Sequence, residues 1–446
     1  MAKYFGTDGI RGKAELFSRA FLEKIILGLR VKGKKVLIGG DTRESTERIL
    51  KDLGEILVKA EAEKVGTVGV LSTPAINYVF YQMGFDFAID VTASHNPYTD
   101  NGIKIFERGE RFGVKLGEEA RERIERALEG GLSDGGSEEG GLEARLEDLS
   151  QEAKELYKKH LEEKIGEVSF RGLKIGLDFA NGATGVLGDE IFKKHGAETV
   201  VINRDFRFGR KINDNAGSTH IEGLRKLVLE EKLDFGAAFD GDGDRVLFVD
   251  EDGEIVDGDE ILVILAEELG LKKIVATIMA NQGLIEYGKE NGVEILTTDV
   301  GDQNVFKEMI DKGVEIGGEQ SGHVILPREA MGDGVLVALT ITKIISKSGR
   351  GLGELKRKMK KFPQFMINIP ATREEKEYFK KINGGVKIIN GFRERLKETR
   401  GRVLVRPSGT EELIRITVWG ESLEKITEIG EELAEKLKEE IKNGRD

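Results

Sequence analysis

The stretch Phe87-Ala-Ile-Asp-Val-Thr-Ala-Ser-His-Asn-Pro97 joins a short apolar strand to an abrupt stop. Its first five residues are mostly apolar, as in a strand buried inside a sheet. Asn96-Pro97 prevents a strand or helix from continuing, because proline has no N–H and restricts the residue before it. Ser94 therefore lies on a loop at the carboxyl end of a strand, where open α/β sheets place their chemistry. Taken alone, the loop is explained equally well by side chains that cap a turn.

Strands and helices alternate along the chain around this stretch. Apolar runs predict strands at 36–41, 67–71, 173–177 and 235–239, and helical spacing of apolar residues predicts helices at 21–29, 49–57 and 186–195. This alternation indicates βαβ units with parallel or mixed sheets. Residues 129–146, rich in Gly, Ser and Glu, predict a surface loop near the end of the first domain.

Composition excludes several classes of protein. At 446 residues, with 39% hydrophobic and 34% charged residues, the chain is long enough for several domains with cores of their own. It has no cysteine, which excludes disulfides, thiolate zinc sites and cysteine nucleophiles. It also has no apolar run long enough to cross a membrane and no signal-peptide pattern, so we expect a cytoplasmic protein without a membrane partner. The net charge of −12 argues against nucleic acid as a partner, and an anionic substrate would need a locally basic pocket.

The run Asp240-Gly-Asp-Gly-Asp-Arg245 is the most informative in the chain. Glycines between the three carboxylates let the backbone curl so that the carboxylates converge, which is costly unless a cation neutralises them. Few protein ligands of this kind suit Mg²⁺ better than a closed calcium cage. An EF-hand is excluded, because Arg245 stands at the position that requires glycine and the loop follows a strand. A solvated acidic turn is the remaining alternative.

Two further stretches have both a functional and an ordinary explanation. Phe5-Gly-Thr-Asp-Gly-Ile-Arg-Gly12 is dense in glycine and presents Arg11 from an unusual backbone path, unless it is a flexible leader. In the strand after Asp100-Asn-Gly, alternation puts Lys104 opposite two isoleucines. Lys104 then points either back toward Ser94 or into solvent.

Two polar loops in the second half of the chain have binding chemistry. Gly317-Gly-Glu-Gln-Ser-Gly-His323 has a hydroxyl, a carboxylate, an amide and an imidazole, which together can hydrogen-bond sugar hydroxyls. Arg406-Pro-Ser-Gly-Thr-Glu-Glu-Leu-Ile-Arg415 places hydroxyls and backbone amides around a glycine between two arginines. That is a suitable phosphate cradle, although a polar turn with two solvated arginines explains it equally well.

Taken together, these motifs resemble those of the α-D-phosphohexomutase superfamily, in the family's order and spacing over essentially the whole chain. The resemblance implies an α/β fold of four domains around a central cleft: three related mixed-sheet domains and a smaller C-terminal α+β domain. We expect a phosphoserine-bearing domain at 1–147, a metal-binding domain at 148–250, a sugar-recognition domain at 251–360 and a phosphate-binding domain at 361–446. The segments 5–12 and 318–323 are most similar to the branch that interconverts glucosamine 6-phosphate and glucosamine 1-phosphate.

The resemblance also implies roles for single residues. Ser94 carries a phosphoryl group and, with Asp240, Asp242 and Asp244, holds one Mg²⁺ per subunit. The phosphoryl group passes to the substrate, and a hexosamine 1,6-bisphosphate turns over in the cleft as intermediate and activator. The implied charge stabilisation around the phosphoserine comes from Arg11, Lys104 and Arg245, and the serine loop is oriented by His95 and Asn96. Sugar recognition is implied for Glu319, Ser321 and His323. Phosphate binding is implied for Arg406, Ser408, Gly409, Thr410 and Arg415. Lys104 and His323 both remain candidates for the general base, and a homodimer is expected by analogy.

Three alternatives and two departures from the family pattern remain. A phosphomannomutase/phosphoglucomutase of broad hexose phosphate specificity differs mainly in the sugar loop, where Gln320 is the discriminating residue. A silent binding paralogue would have lost Ser94 or an aspartate, and a serine hydrolase would have a Gly-x-Ser-x-Gly elbow. Glu412 replaces a usual proline, which affects the rigidity of the last loop, and Gly40 replaces a common arginine in Gly-Arg-Asp-Thr-Arg.

Overall fold

The computed structural model describes residues 3–6, 8–130, 146–381, 383–397, 399–408 and 412–443. Over these residues the strands form four sheets, each with helices in its part of the chain, which confirms the predicted α/β class. Most of the predicted loop at 129–146 lies outside the described residues, as do Gly409 and Thr410.

The first sheet contains eight strands in the order β1-β2-β6-β5-β3-β4-β8, with β7 paired to β6. Strands β5, β3, β4 and β8 are parallel, whereas β6 runs antiparallel to β5 and to β2. The strands are β1 (Phe5–Gly6), β2 (Gly9–Lys13), β3 (Lys35–Gly40), β4 (Lys64–Val70), β5 (Phe87–Val91), β6 (Asp100–Arg108), β7 (Gly113–Lys115) and β8 (Leu146–Asp148). The helices in this part of the chain are α1 (Arg19–Leu29), α2 (Glu44–Lys59), α3 (Thr73–Gln82), α4 (Glu118–Leu128) and α5 (Ser150–Ile165).

Both faces of the first sheet are covered, as a largely parallel sheet requires. Helices α1, α2 and α4 bury Leu22, Leu53 and Ile124 in one apolar cluster with the sheet. On the opposite side, α3 and α5 bury Phe80 and Tyr157 in a second cluster that continues into the next two sheets. The first three sheets therefore share a continuous core, which fixes their loops relative to one another.

The second sheet has the order β10-β9-β11-β12-β13 and is parallel through β10, β9 and β11. Its strands are β9 (Lys174–Asp178), β10 (Glu198–Ile202), β11 (Phe235–Phe239), β12 (Val246–Asp250) and β13 (Ile255–Val256), with α6 (Glu190–Lys194) and α7 (Glu222–Glu231). The helix predicted over 186–195 is shorter than expected, and a single 3₁₀ turn precedes it at 183–186. Gly188, with φ of +55°, breaks the helical path between the two.

The third sheet has the order β15-β14-β16-β17, with the first three strands parallel. Its strands are β14 (Lys273–Thr277), β15 (Glu294–Thr298), β16 (Gly317–Gly318) and β17 (Val324–Ile325). The accompanying helices are α8 (Gly258–Leu269), α9 (Gln282–Asn291), α10 (Asp302–Lys312), α11 (Gly334–Ser348) and α12 (Leu352–Lys356). Helix α8 starts at a capping box, in which Asp257 accepts from the N–H of Glu260 and the Glu260 carboxylate accepts from that of Asp257.

The fourth sheet is antiparallel and has a core of its own. It has the order β18-β20-β19, formed by β18 (Gln364–Pro370), β19 (Arg402–Pro407) and β20 (Leu413–Trp419). The helices are α13 (Arg373–Lys381), α14 (Asn383–Lys397) and α15 (Leu423–Asn443). Ile416 and Leu433 are fully buried in a cluster confined to this last part of the chain. Among the described helices, none combines the length and the apolar character needed to span a bilayer.

Candidate active site

Ser94 lies at the carboxyl end of the central strand β5 in an unusual backbone conformation. Its φ is +53°, a left-handed value that costs a residue with a side chain roughly 1–2 kcal/mol. Its N–H donates to Thr92 Oγ1 at 2.9 Å, and its Oγ donates to Asp240 Oδ2 at 2.7 Å. The side chain is fully buried. With this backbone conformation, the serine hydroxyl points at the loop that follows β11 in the second sheet.

That loop brings three buried carboxylates together, as the sequence predicted. Oxygens of Asp240, Asp242 and Asp244 all lie within 4.8 Å of one another. The backbone N–H groups of Gly243 and Arg245 donate to Asp240 Oδ1 at 3.1 and 3.2 Å and fold the loop around it. Burial, together with the neighbouring Asp242 and Asp244, raises the pKa of Asp240 well above its usual range.

The donor set of this loop fits a hard divalent cation. Asp242 Oδ1 and Asp244 Oδ1 are buried without a hydrogen-bond partner among the described residues. Unpartnered buried carboxylate oxygens are costly, and a cation with oxygen ligands removes that cost. The three aspartates, with the Ser94 oxygen beside them, are therefore a candidate metal site.

Lys104 supplies positive charge to the same cluster. Its Nζ lies 2.7 Å from Asp242 Oδ2, 3.1 Å from Asp244 Oδ2 and 3.0 Å from Asp8 Oδ2. Burial alone would lower the pKa of Lys104, but these carboxylates hold it well above its usual range. The alternative of a Lys104 in solvent is wrong: the side chain is buried against the acidic loop. Asp8 also pairs with Arg11 at 2.5 Å, which brings Arg11 to the same group.

His95 and Arg245 contact each other beside Ser94. Arg245 Nη1 lies 3.0 Å from His95 Nδ1, and the His95 ring lies 3.4 Å from Ser94 Oγ through the same nitrogen. Burial, with the charges of Arg245 and Arg11, lowers the pKa of His95 to about 4. The imidazole is thus neutral near pH 7 and accepts from the guanidinium, an arrangement that fits the loop-orienting role predicted for it.

Residues 319–323, which were predicted to recognise the sugar, lie between β16 and β17, next to the acidic loop. The carbonyl of Gly322 accepts from the N–H of Val246, the residue that starts β12. His323 is buried, with its Nε2 accepting from the N–H of Gly332 at 2.9 Å and its Nδ1 at 3.8 Å from Asp244 Oδ1. Burial would lower the pKa of His323, but Asp244 raises it above its usual value. Nε2 is therefore hydrogen-bonded, whereas Nδ1 faces Asp244 at a distance too long for a hydrogen bond.

The other members of this loop differ in exposure and contacts. Glu319 Oε1 accepts from the N–H of Gly301 at 3.0 Å, and Ser321 is exposed. The side chain of Gln320, the residue on which the substrate interpretation depended, donates instead to Asp257 Oδ2 at 3.1 Å. Its amide thus supports the start of α8, and it gives no evidence about the sugar.

The predicted phosphate cradle is divided between described and undescribed residues. Arg406 and Arg415 face each other across β19 and β20, and burial, together with Arg415, lowers the pKa of Arg406. Ser408 follows β19, and its N–H donates to the carbonyl of Leu413. Two arginines side by side on one sheet favour an anion.

Arg43, which holds the serine loop through its backbone carbonyls, was not predicted from the sequence. This arginine is fully buried and donates to the carbonyl oxygens of Ser94, Asn96, Pro97 and Asp100. The available signal was its position: it follows β3, the parallel neighbour of β5, so that both loops open at the same edge of the sheet.

The fold and this site define a four-part α/β protein with a serine held against a buried acidic triad that is a candidate cation site. The chain belongs to the phosphoglucomutase/phosphomannomutase family: models of its alpha/beta/alpha domains I, II and III match residues 2–133, 155–253 and 257–362, and that of its C-terminal domain matches residues 366–436. This confirms the resemblance and the four-domain fold that were expected from the motifs.

Individual relatives agree with this membership. The chain is 40% identical to a phosphoglucosamine mutase of Caldicellulosiruptor saccharolyticus, with 97% of this chain and 98% of the relative covered. It is 37% identical to a phosphoglucosamine mutase of Staphylococcus aureus, with 99% of each covered. A solved phosphoglucomutase/phosphomannomutase family protein of Burkholderia thailandensis superimposes with a TM-score of 0.74 at 23% identity, covering 97% of this chain and 96% of that one. An Aspergillus fumigatus N-acetylphosphoglucosamine mutase, solved with GlcNAc-6P and magnesium, has a TM-score of 0.69 at 17% identity, with 98% and 96% covered.

Proposed function

We propose that this protein interconverts glucosamine 6-phosphate and glucosamine 1-phosphate through a phosphoserine at Ser94. The observation that carries the proposal is the 2.7 Å contact between Ser94 Oγ and Asp240 Oδ2 inside the buried acidic triad. A reactive oxygen that touches a cation site is suited to accept and return a phosphoryl group. Full-length relatives named phosphoglucosamine mutase support the choice of sugar.

In this proposal Asp240, Asp242 and Asp244 hold Mg²⁺ together with the phosphorylated Ser94. A bound Mg²⁺ withdraws charge from the phosphoryl group that is transferred. The protein's own part is electrostatic and positional. Lys104, which contacts Asp242, and Arg245, which contacts His95, stabilise the charge that develops on the equatorial oxygens.

The reaction consists of two transfers with a reorientation between them. In the first, the bond between phosphorus and Ser94 Oγ breaks and one to a substrate hydroxyl forms, giving a hexosamine 1,6-bisphosphate. After the bisphosphate turns over, its other phosphoryl group returns to Ser94. The sets proposed to hold the sugar and the phosphate that is not reacting are Glu319, Ser321 and His323, and Arg406, Ser408, Gly409, Thr410 and Arg415.

Lys104 and His323 stay the two candidates for proton exchange with the substrate hydroxyl. His323 Nε2 accepts from the N–H of Gly332, and His323 Nδ1 lies 3.8 Å from Asp244 Oδ1. Lys104 Nζ lies within 3.1 Å of the carboxylates of Asp8, Asp242 and Asp244, which raise the pKa of Lys104 and keep it an ammonium that can donate a proton. The domain roles, a homodimer and a cytoplasmic location stay predictions.

The test compares kcat/KM for glucosamine 6-phosphate, mannose 6-phosphate and glucose 6-phosphate, with Mg²⁺ and a trace of the matching 1,6-bisphosphate. We expect the glucosamine substrate to lead. A lead for mannose or glucose would keep the phosphoserine mechanism and replace the substrate with that of the broad-specificity alternative. Ser94→Ala should abolish activity while the fold persists, and near-normal turnover would overturn the mechanism. Ser18→Ala is the matched control, since Ser18 is exposed and makes no capping hydrogen bond.

A further inference from the structure

Two carbonyl oxygens of the serine loop each accept hydrogen bonds from two side chains. Arg43 Nη2 donates to the carbonyls of Ser94 and Asn96 at 2.7 and 2.8 Å. Asn213 Nδ2 donates to the same two oxygens at 2.8 and 3.0 Å. Each nitrogen has two hydrogens and each carbonyl oxygen has two lone pairs. The four hydrogen bonds therefore close a ring in which every hydrogen and every lone pair is used.

Asn213 reaches this ring from a different sheet. It lies between β10 and α7, whereas Arg43 lies between β3 and α2. Its own N–H donates to the carbonyl of Ala180, just after β9, at 2.9 Å. Its Oδ1 is buried with no hydrogen-bond partner in the described part of the chain. The amide side chain therefore acts here as a donor, and it ties the serine loop to the second sheet.

The same ring lies against the acidic loop. A Cβ at Gly241 would lie 2.7 Å from the carbonyl oxygen of Ser94 and 2.8 Å from Asn213 Nδ2. Gly241 separates Asp240 from Asp242, so contact at this glycine sets how close the serine loop comes to the carboxylates. The ring thus holds the backbone conformation of Ser94 and sets the distance between Ser94 and the three aspartates.

We infer that Asn213 is a positioning residue for phosphoryl transfer at Ser94. The inference rests on the proposed function, in which Ser94 carries the phosphoryl group. The φ of +53° at Ser94 is unfavourable, and the direction of Oγ follows from it. Without the amide, Arg43 is the one remaining donor to the two carbonyls in the described part of the chain, and the loop relaxes toward ordinary backbone. A misplacement of about 1 Å at a reacting atom lowers the rate on the order of 100-fold.

Asn213→Gly tests this role, because glycine keeps the left-handed φ of +59° at no steric cost while the amide is lost. We expect kcat to fall roughly 10- to 100-fold with KM little changed. Phosphorylation of Ser94 by glucose 1,6-bisphosphate, followed by intact mass, should slow in parallel. The matched control is Asn215→Gly, at φ of +47° in the same loop, where the exposed amide donates to Asp214. The control should match the unmodified protein.

Asn213→Asp is the alternative test if the glycine variant does not fold. Aspartate has nearly the same size as asparagine, but it turns an acceptor toward the two carbonyls where the amide donated. Normal kcat in a folded Asn213 variant, with Ser94→Ala inactive, would overturn the role of Asn213 and leave the proposed function standing. Equal losses in Asn213→Gly and Asn215→Gly would overturn the role as well. Turnover by Ser94→Ala would overturn the proposed function itself, and the inference with it.

Discussion

Lys104 Nζ lies 2.7 Å from Asp242 Oδ2, so its positive charge neutralises one of the carboxylates that would bind a divalent cation. Lys104→Met keeps the apolar stem but removes this charge, leaving Asp8, Asp242 and Asp244 without their common partner. Loss of one side of a buried ion cluster costs about 3 kcal/mol or more. We expect the thermal unfolding temperature of Lys104→Met to lie below that of the unmodified protein in EDTA and to recover largely in millimolar Mg²⁺.

Differential scanning calorimetry in EDTA and in Mg²⁺ checks this prediction. Lys13→Met is the control, because Lys13 is mostly exposed and pairs with Asp100, outside the buried ion cluster. It should leave the transition unchanged in both buffers. A transition of Lys104→Met that is equally low with and without Mg²⁺ would argue against a cation site at these aspartates.

The carboxyl group of Asp333, which caps α11, should make the stability of the fold depend on pH. Burial raises the pKa of Asp333 from 3.8 to about 6, against the hydrogen bonds that it accepts from Leu336 N–H and Tyr157 Oη. A raised carboxyl pKa means that the folded state binds the proton more tightly, so this contribution to stability is largest below pH 4. It is lost as the pH rises through 6, and amounts to about 3 kcal/mol by pH 7.

Urea midpoints from pH 4 to pH 7 measure this contribution when the unmodified protein is compared with Asp333→Asn. The variant should show a flatter pH dependence over that range, because its side chain has no proton to bind there. Tyr157→Phe is a second check, since loss of the phenol O–H, which lies 2.7 Å from Asp333 Oδ2, should extend the slope to higher pH. Identical profiles for the unmodified protein and Asp333→Asn would contradict the prediction.

Arg402 anchors the last sheet to the third. Its guanidinium donates to the carbonyls of Ile278 and Ala280 and lies 4.0 Å over the ring of Trp419. Burial lowers the pKa of Arg402 to about 10. Arg402→Ala removes two hydrogen bonds and a cation–π contact, about 2 kcal/mol in total. We expect KM for the sugar phosphate to rise several-fold, because the arginine pair proposed to bind phosphate at Arg406 would be held less firmly against the third sheet.

Steady-state kinetics and limited proteolysis around residues 361–365 test this anchor. Arg395→Ala is the control, because Arg395 stacks on Phe392 and pairs with Glu432 inside the last part of the chain. It should leave KM and the cleavage rate as they are. Unchanged values in Arg402→Ala would show that other contacts hold the last sheet in place.

The sequence predicted the site to the extent that the site follows from strand ends. Ser94, the triad at Asp240 and the loop at Glu319 each follow a strand, β5, β11 and β16 respectively, and the sheets bring them together. Chemistry at the carboxyl end of a strand is a rule that one chain reveals without an alignment. The same holds for Lys104, where alternation along β6 left two directions and the buried carboxylates decided between them.

The rest depends on contacts between distant residues, which no local pattern encodes. Arg43 and Asn213 act through backbone carbonyls, and any loop offers carbonyls. Gln320 was interpreted as a sugar contact because its loop is polar, but its partner Asp257 lies 63 residues earlier. Gly40 stands where the resemblance led us to expect an arginine, and a Cβ there would lie 2.5 Å from the carbonyl oxygen of Val91.

Gly241 gives the sharpest test of the junction between the serine loop and the acidic loop. In Gly241→Ala the added methyl group would lie 2.7 Å from the carbonyl oxygen of Ser94 and 2.8 Å from Asn213 Nδ2. Neither neighbour can move without breaking the ring of hydrogen bonds, so Ser94 and the carboxylates must separate. We expect activity to fall on the order of 100-fold while the fold is retained.

Gly223→Ala is the matched control for this substitution. Gly223 lies in α7, where the nearest atom to an added Cβ would be Ile202 Cδ1 at 3.9 Å. Alanine in a helix is favoured over glycine by about 1 kcal/mol, so this variant should be fully active and slightly more stable. If circular dichroism shows both variants folded and Gly241→Ala is as active as Gly223→Ala, the close approach at Gly241 has no role in placing Ser94. A selective loss in Gly241→Ala would instead tie catalysis to the spacing between the two loops, because the two substitutions add the same atom and differ only in what that atom meets.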